Sequence, residues 1–214
     1  MKRYEHRTGL TLVEMLIVIA IIAILAVMVI SVATRIENRA KEQLTESTIA
    51  LLNDALTQFN DYGYQYKNAY AEFKFPLDCT GFSQADLKTT LENALGATTV
   101  AIVGVNDPNY SGSEVLYFFL SQVPESRQTL DKIDKALITN KTGKNGSAMI
   151  LTIDSTSYSL YGIIDPWKTP LRYDYYYEGA PTVADMVKTK RAFPVLTSAG
   201  SDRTFGTNDD IKSR

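Results

Sequence analysis

Few residues in this chain could do chemistry, and where they fall is informative. His6 is the sole histidine and Cys79 the sole cysteine. A Ser–His or Cys–His nucleophile pair has almost nothing to draw on. One cysteine closes no intramolecular disulfide, so a fold outside the cytoplasm must be held by a core or by a metal. Two groups of carboxylates stand out. Glu14 lies inside an apolar run, and residues 15–34 after it carry no charge. A carboxylate carried into a bilayer costs several kcal/mol unless it is paired, so Glu14 marks a functional position. The second group is C-terminal. Asp202, Asp209 and Asp210 lie among Ser198, Ser201, Gly200 and Gly206. Hard oxygen ligands on a chain that can curl its carbonyls inward are what Ca2+ takes. The offsets are not those of an EF-hand, and a solvated polar tail is the alternative reading.

The elements that must position these groups follow from patterning. The uncharged run of about 20 residues spans about 30 Å as a helix, the thickness of a bilayer's hydrocarbon core. It is too long for the apolar region of an ordinary secretory signal. Lys2, Arg3 and Arg7 precede it, which places the N-terminus on the cytoplasmic side and the rest outside. No Pro or Gly interrupts residues 10–61. Leu44, Leu51, Leu52, Ala55, Leu56 and Phe59 recur three or four apart, the mark of a one-sided helix seeking a core. The helix is expected to end around Gly63. A plain signal anchor with a helical stalk explains this shape but gives Glu14 no role.

The segment Gly9-Leu10-Thr11-Leu12-Val13-Glu14 resembles the cleavage and methylation motif of type IV prepilins, with Leu10 where the family usually has Phe. The resemblance implies a prepilin peptidase that cuts after Gly9 and N-methylates Leu10. It implies that Glu14 registers each subunit against the N-terminus of a neighbour. A second segment, Asp165-Pro166-Trp167-Lys168-Thr169-Pro170-Leu171-Arg172-Tyr173, is similar to one in the major pseudopilins of type II secretion. The tail looks like their calcium loop. Carried over, the Ca2+ ligands would be the carbonyls of Leu196 and Ile211 with oxygens of Ser198, Asp202, Asp209 and Asp210. The stretch of residues 63–157 is much longer than in a typical member of that family.

The remaining patterning predicts an α+β head: a small antiparallel sheet packed on the C-terminal half of the long helix, as in type IV pilins. Ser83 with Asp86 reads as a helix start before Leu87, Leu91 and Leu95. Further helices are expected at 113–123 and 131–139, and an exposed loop at 141–147. Strands are expected at 149–154 and 157–164 as a hairpin, then at 171–177 and 193–197. Cys79 reads as a semi-buried small residue, and the tyrosines at 173, 175, 176 and 177 as strand and core.

The segments expected are therefore a leader, 1–9; a transmembrane and filament-core helix, 10–34; its amphipathic continuation, 35–62; and a head, 63–214, with the calcium-type loop at 196–211. The formal net charge is -2, so nucleic acid is not an expected partner. The resemblances imply a non-enzymatic pseudopilin of a type II secretion system. It would be anchored by a single pass in the bacterial inner membrane with its head in the periplasm, and would polymerise with itself and with minor pseudopilins. Its further partners would be the prepilin peptidase/methyltransferase and an inner-membrane assembly platform. A surface type IV pilus subunit for adhesion, motility or DNA uptake is the alternative. A signal-anchored, calcium-binding envelope protein is the alternative of another class.

Overall fold

The computed structural model describes residues 12–66, 75–97, 99–176 and 190–213. One helix, α1, runs Leu12–Tyr66. Its apolar first part falls in a unit that ends at Ala40. The described side chains of that part are exposed, Leu12, Ile19 and Val27 among them. From Lys41 onward the helix belongs to the second unit, which holds the head. Here Ile49, Leu52, Ala55, Leu56 and Phe59 are buried, the face that the apolar spacing foretells. Thr45 and Thr48 are buried too; their hydroxyls bond back to the carbonyls of Lys41 and Leu44. The helix passes through Gly63 and ends three residues later than expected. Gly63 is buried, and a helical glycine costs only about 1 kcal/mol relative to alanine, less than its surroundings supply.

Helix α2, Gln84–Leu95, starts at Ser83, whose hydroxyl accepts the Asp86 N–H, and stops at Gly96 in the left-handed region. Strand β1, Val100–Val103, follows. Helix α3, Pro108–Gln122, begins five residues before the expected start. Asp107 caps it and Pro108 occupies its first turn, where a missing N–H costs nothing. It is buried nearly all round, as the central helix of a head must be. Helix α4 is Pro124–Leu130. The helix expected at 131–139 does not form. A turn leads to a short 3-10 stretch, Lys135–Leu137, capped by Asp134, and then to β2, Ile138–Thr139. Leu130, Ile133 and Leu137 are buried all the same; the apolar spacing marked burial, and the Asp134 cap interrupted the helix. The expected exposed loop, 141–147, is only partly exposed, since Thr142 and Gly143 are buried and residues 144–146 form a 3-10 turn.

The strands β3, Met149–Ile153, and β4, Thr156–Leu160, form the expected hairpin. Asp154 and Ser155 both take positive φ, the geometry a two-residue hairpin turn requires. β1 pairs with the other edge of β3. The residues expected to prolong β4 instead form β5, Gly162–Ile163, which pairs with β2. β6, Arg172–Tyr176, β7, Lys190–Ser198, and β8, Ile211–Lys212, make a third antiparallel sheet. The architecture is α+β, a long N-terminal helix with small antiparallel sheets, as type IV pilin-like folds have. Tyr173 and Tyr175 are buried; Tyr177 lies outside the described residues.

Candidate functional site

Two places carry the chemistry that the sequence points to. At the N-terminus, Gly9 and Leu10 lie outside the described residues. Glu14 stands in the first turn of α1, where the helix dipole favours a negative charge. The helix is long and apolar enough to cross a membrane, and the described side chains of its apolar part are exposed. An apolar surface of that size, exposed among the described residues, calls for lipid or for another protein.

The second place is the C-terminal loop between β7 and β8. Ser198 at the end of β7 pairs with Ile211 at the start of β8, so the strands close the loop's neck. Gly200 holds φ at +66°, and a Cβ there would stand 2.2 Å from the carbonyl oxygen of Asp209. No other residue fits at that close approach. Asp209 organises the interior. Its Oδ2 accepts the Ser201 hydroxyl at 2.9 Å and the Asp202 N–H at 3.0 Å, and its Oδ1 accepts the Thr207 hydroxyl at 2.7 Å. Those donors hold the Asp209 carboxyl well below the usual carboxylate range. Asp202 turns its own Oδ1 onto the Thr204 N–H at 2.7 Å. Asp210 is different. Its side chain is 4% exposed, and its Oδ2 accepts the Gly206 N–H and lies 3.7 Å from Lys212 Nζ. Its Oδ1 is buried with no hydrogen-bond partner.

The six residues read as calcium ligands are thus brought to one loop, with unequal freedom to bind. The Leu196 carbonyl accepts the Ser213 N–H at 2.8 Å. The Ser198 hydroxyl donates to Asp165 Oδ2 at 2.8 Å. Among the described residues, no three His, Cys, Asp or Glu side chains come together to hold a metal ion. The oxygen that best fits a cation is Asp210 Oδ1, since a buried carboxylate oxygen without a partner is costly to leave alone.

Sequence reasoning missed the role of Asp165. It is 1% exposed. Its Oδ1 accepts the N–H groups of Trp167 and Thr169 at 3.0 and 2.8 Å, while Oδ2 takes the Ser198 hydroxyl. Burial pushes its pKa up against these bonds, which pull it down. The Asp-Pro-Trp turn is thereby tied to the root of the C-terminal loop. Cys79 is fully buried, and desolvation pushes its thiol pKa up, the state of an inert core residue.

Comparison with known proteins bears on the N-terminus alone. Residues 6–30 match the family described as "Prokaryotic N-terminal methylation motif". No curated protein and no solved structure matches the chain. The matched residues contain the Gly9–Glu14 segment and the start of the exposed apolar helix. Over those residues the chain is similar to type IV prepilins, and the similarity covers the N-terminal motif and the first part of a helix long and apolar enough to cross a membrane.

Proposed function

We propose that this chain is a pseudopilin, the filament subunit of a type II protein secretion system. It is cut after Gly9, methylated on Leu10 and polymerised from the bacterial inner membrane into the periplasm. The observation that carries the reading is the methylation motif at residues 6–30, which runs into an apolar helix whose described side chains are exposed there. Extraction into a filament lets neighbouring helices cover that surface. The head then needs only to be stable and repetitive. The Asp-Pro-Trp turn and the carboxylate loop favour a pseudopilus. The second reading is a surface type IV pilus subunit, and the segment 63–157, longer than in a typical pseudopilin, leaves room for it. Intact-mass measurement of the membrane-extracted protein tests the processing step. Loss of residues 1–9 with one added methyl is expected; an uncut N-terminus ends the prepilin reading.

The same reading assigns Ca2+ to the C-terminal loop. Asp202, Asp209 and Asp210 with the Leu196 and Ile211 carbonyls are its ligands, and Ser198 contributes through its backbone because its hydroxyl serves Asp165. A bound cation would satisfy Asp210 Oδ1 and staple a tail that a lone cysteine cannot close. Millimolar Ca2+ should raise the melting temperature of the protein in detergent, and Asp210→Ala should remove that response. Equal responses to Ca2+ in the two proteins would refute the assignment.

A further inference from the structure

The most anomalous side chain in the head belongs to neither of these places. Glu114 is in the middle of α3, on a helix buried nearly all round, and is 0% exposed. Neither of its carboxyl oxygens has a hydrogen-bond partner. Two more orphaned side-chain oxygens lie in the head, one of them beside Glu114. Thr142 is 0% exposed, Asn106 is 4% exposed, and Thr142 Oγ1 and Asn106 Oδ1 are both unpartnered. An isolated bridge pairs Asn106 with Gly143, the residue after Thr142. The other atoms of Asn106 are committed, its side-chain NH2 to the Phe82 carbonyl and its N–H to Gln84 Oε1. The Thr142 hydroxyl interacts with the Glu114 carboxyl but falls short of hydrogen-bond geometry.

Charge does not resolve the anomaly. Asp107, at the N-cap of α3, adds like charge to Glu114. One turn before Glu114, burial first and then the carboxyls of Asp107, Asp165 and Glu114 push the Tyr110 pKa up. From α4, Arg127 reaches the Ser121 carbonyl at the far end of α3. On β6, Arg172 is bonded to Asp174. On β4, Tyr158 meets Phe118 edge to face, and Lys141 and Lys144 of the 139–147 loop are exposed. Among the described residues, no cation contributes to the Glu114 carboxyl.

We propose that Glu114 is a proton-binding site that locks the 139–147 loop onto α3. A single proton accounts for the two orphaned side chains that meet, Glu114 and Thr142. A neutral Glu114 donates its O–H to Thr142 Oγ1, the hydroxyl that already interacts with its carboxyl. Loss of the proton leaves an ionised carboxylate in a buried site under the like charge of Asp107, and the loop is released to let water in. Burial, the largest cause, pushes the Glu114 pKa up to about 7.

The sign follows from linkage. A carboxyl with a raised folded pKa stabilises the fold fully below its ordinary pKa of 4.5 and loses that contribution as pH rises to about 7. The folding equilibrium should weaken by roughly two orders of magnitude across that window through this group alone. The test is denaturation of the full-length chain in detergent at pH 5 and pH 8. Wild type should lose stability on going to pH 8, and Glu114→Gln, a neutral mimic, should lose far less. Equal losses overturn the proposal. Infrared spectra of the wild type provide a check that survives poor folding of the variant. A protonated buried carboxyl band at pH 6 that vanishes by pH 8.5 is expected, and its absence at pH 6 also overturns the proposal.

Discussion

Single residues in this head work by satisfying other groups, and Asp165 shows how much can rest on one carboxylate. It accepts two backbone N–H groups of its own turn and one hydroxyl from β7. Ser198 in turn accepts the Gly200 N–H at 3.2 Å. Asp165→Ala strands three donors, and we expect it to cost about 2–4 kcal/mol, measured by urea denaturation. Asp165→Asn keeps one acceptor and should cost less. If the two variants are equally stable, the bonds to this side chain are not what holds the turn. This role was not legible in the sequence. The Asp-Pro-Trp segment was recognisable, but its partner lies 33 residues away, and nothing local marks that pairing. Glu114 was still less legible. A glutamate in a helix reads as a solvated residue, and only the packing around α3 shows that it is not.

Elements were legible in proportion to their length and periodicity. The buried face of α1, helix α2 and the hairpin of β3 and β4 carry strong local signals: a spacing of three or four, a Ser cap, a two-residue turn. Strands β2, β5 and β8 are two residues each. Strands so short exist because a distant partner pairs with them, so no window of sequence announces them. The C-terminal half of α1 is the spine against which the head packs. Leu52 and Leu56 are both 0% exposed. On α4, Ser126 donates to the Ala55 carbonyl at 2.8 Å, and Thr129 donates to Gln58 Oε1 at 2.9 Å. We expect Leu56→Ala to destabilise the protein by about 2–5 kcal/mol. The equivalent change at Leu16, which is 62% exposed, should leave the stability of the head unchanged. Thermal melts of both variants in detergent decide this: a comparable loss at Leu16 would mean that the apolar half is already packed on the chain itself.

At the scale of the whole molecule, the sequence foretold the division of labour better than any detail. An exposed apolar helix and a well-packed head suit different solvents, and in the proposed filament Glu14 is the residue that would link them to assembly. A carboxylate in the first turn of a helix is tolerable at a membrane surface, where water and the dipole help it. It becomes expensive once the helix is drawn among others in a filament axis, unless a cation meets it there. Cleavage after Gly9 would create such a cation, the methylated amine of Leu10, on every subunit. In the proposed filament Glu14 would then serve as a register mark, since only one axial stagger would bring it to a neighbour's amine. Glu14→Ala removes the mark without removing any of the apolar surface that inserts the helix. Cell fractionation should find the variant in the membrane at wild-type amounts and processed after Gly9. Electron microscopy of cells overproducing the filament components should find no filaments. Normal filaments from the variant would show that helix packing alone sets the stagger and that Glu14 is only an interfacial charge.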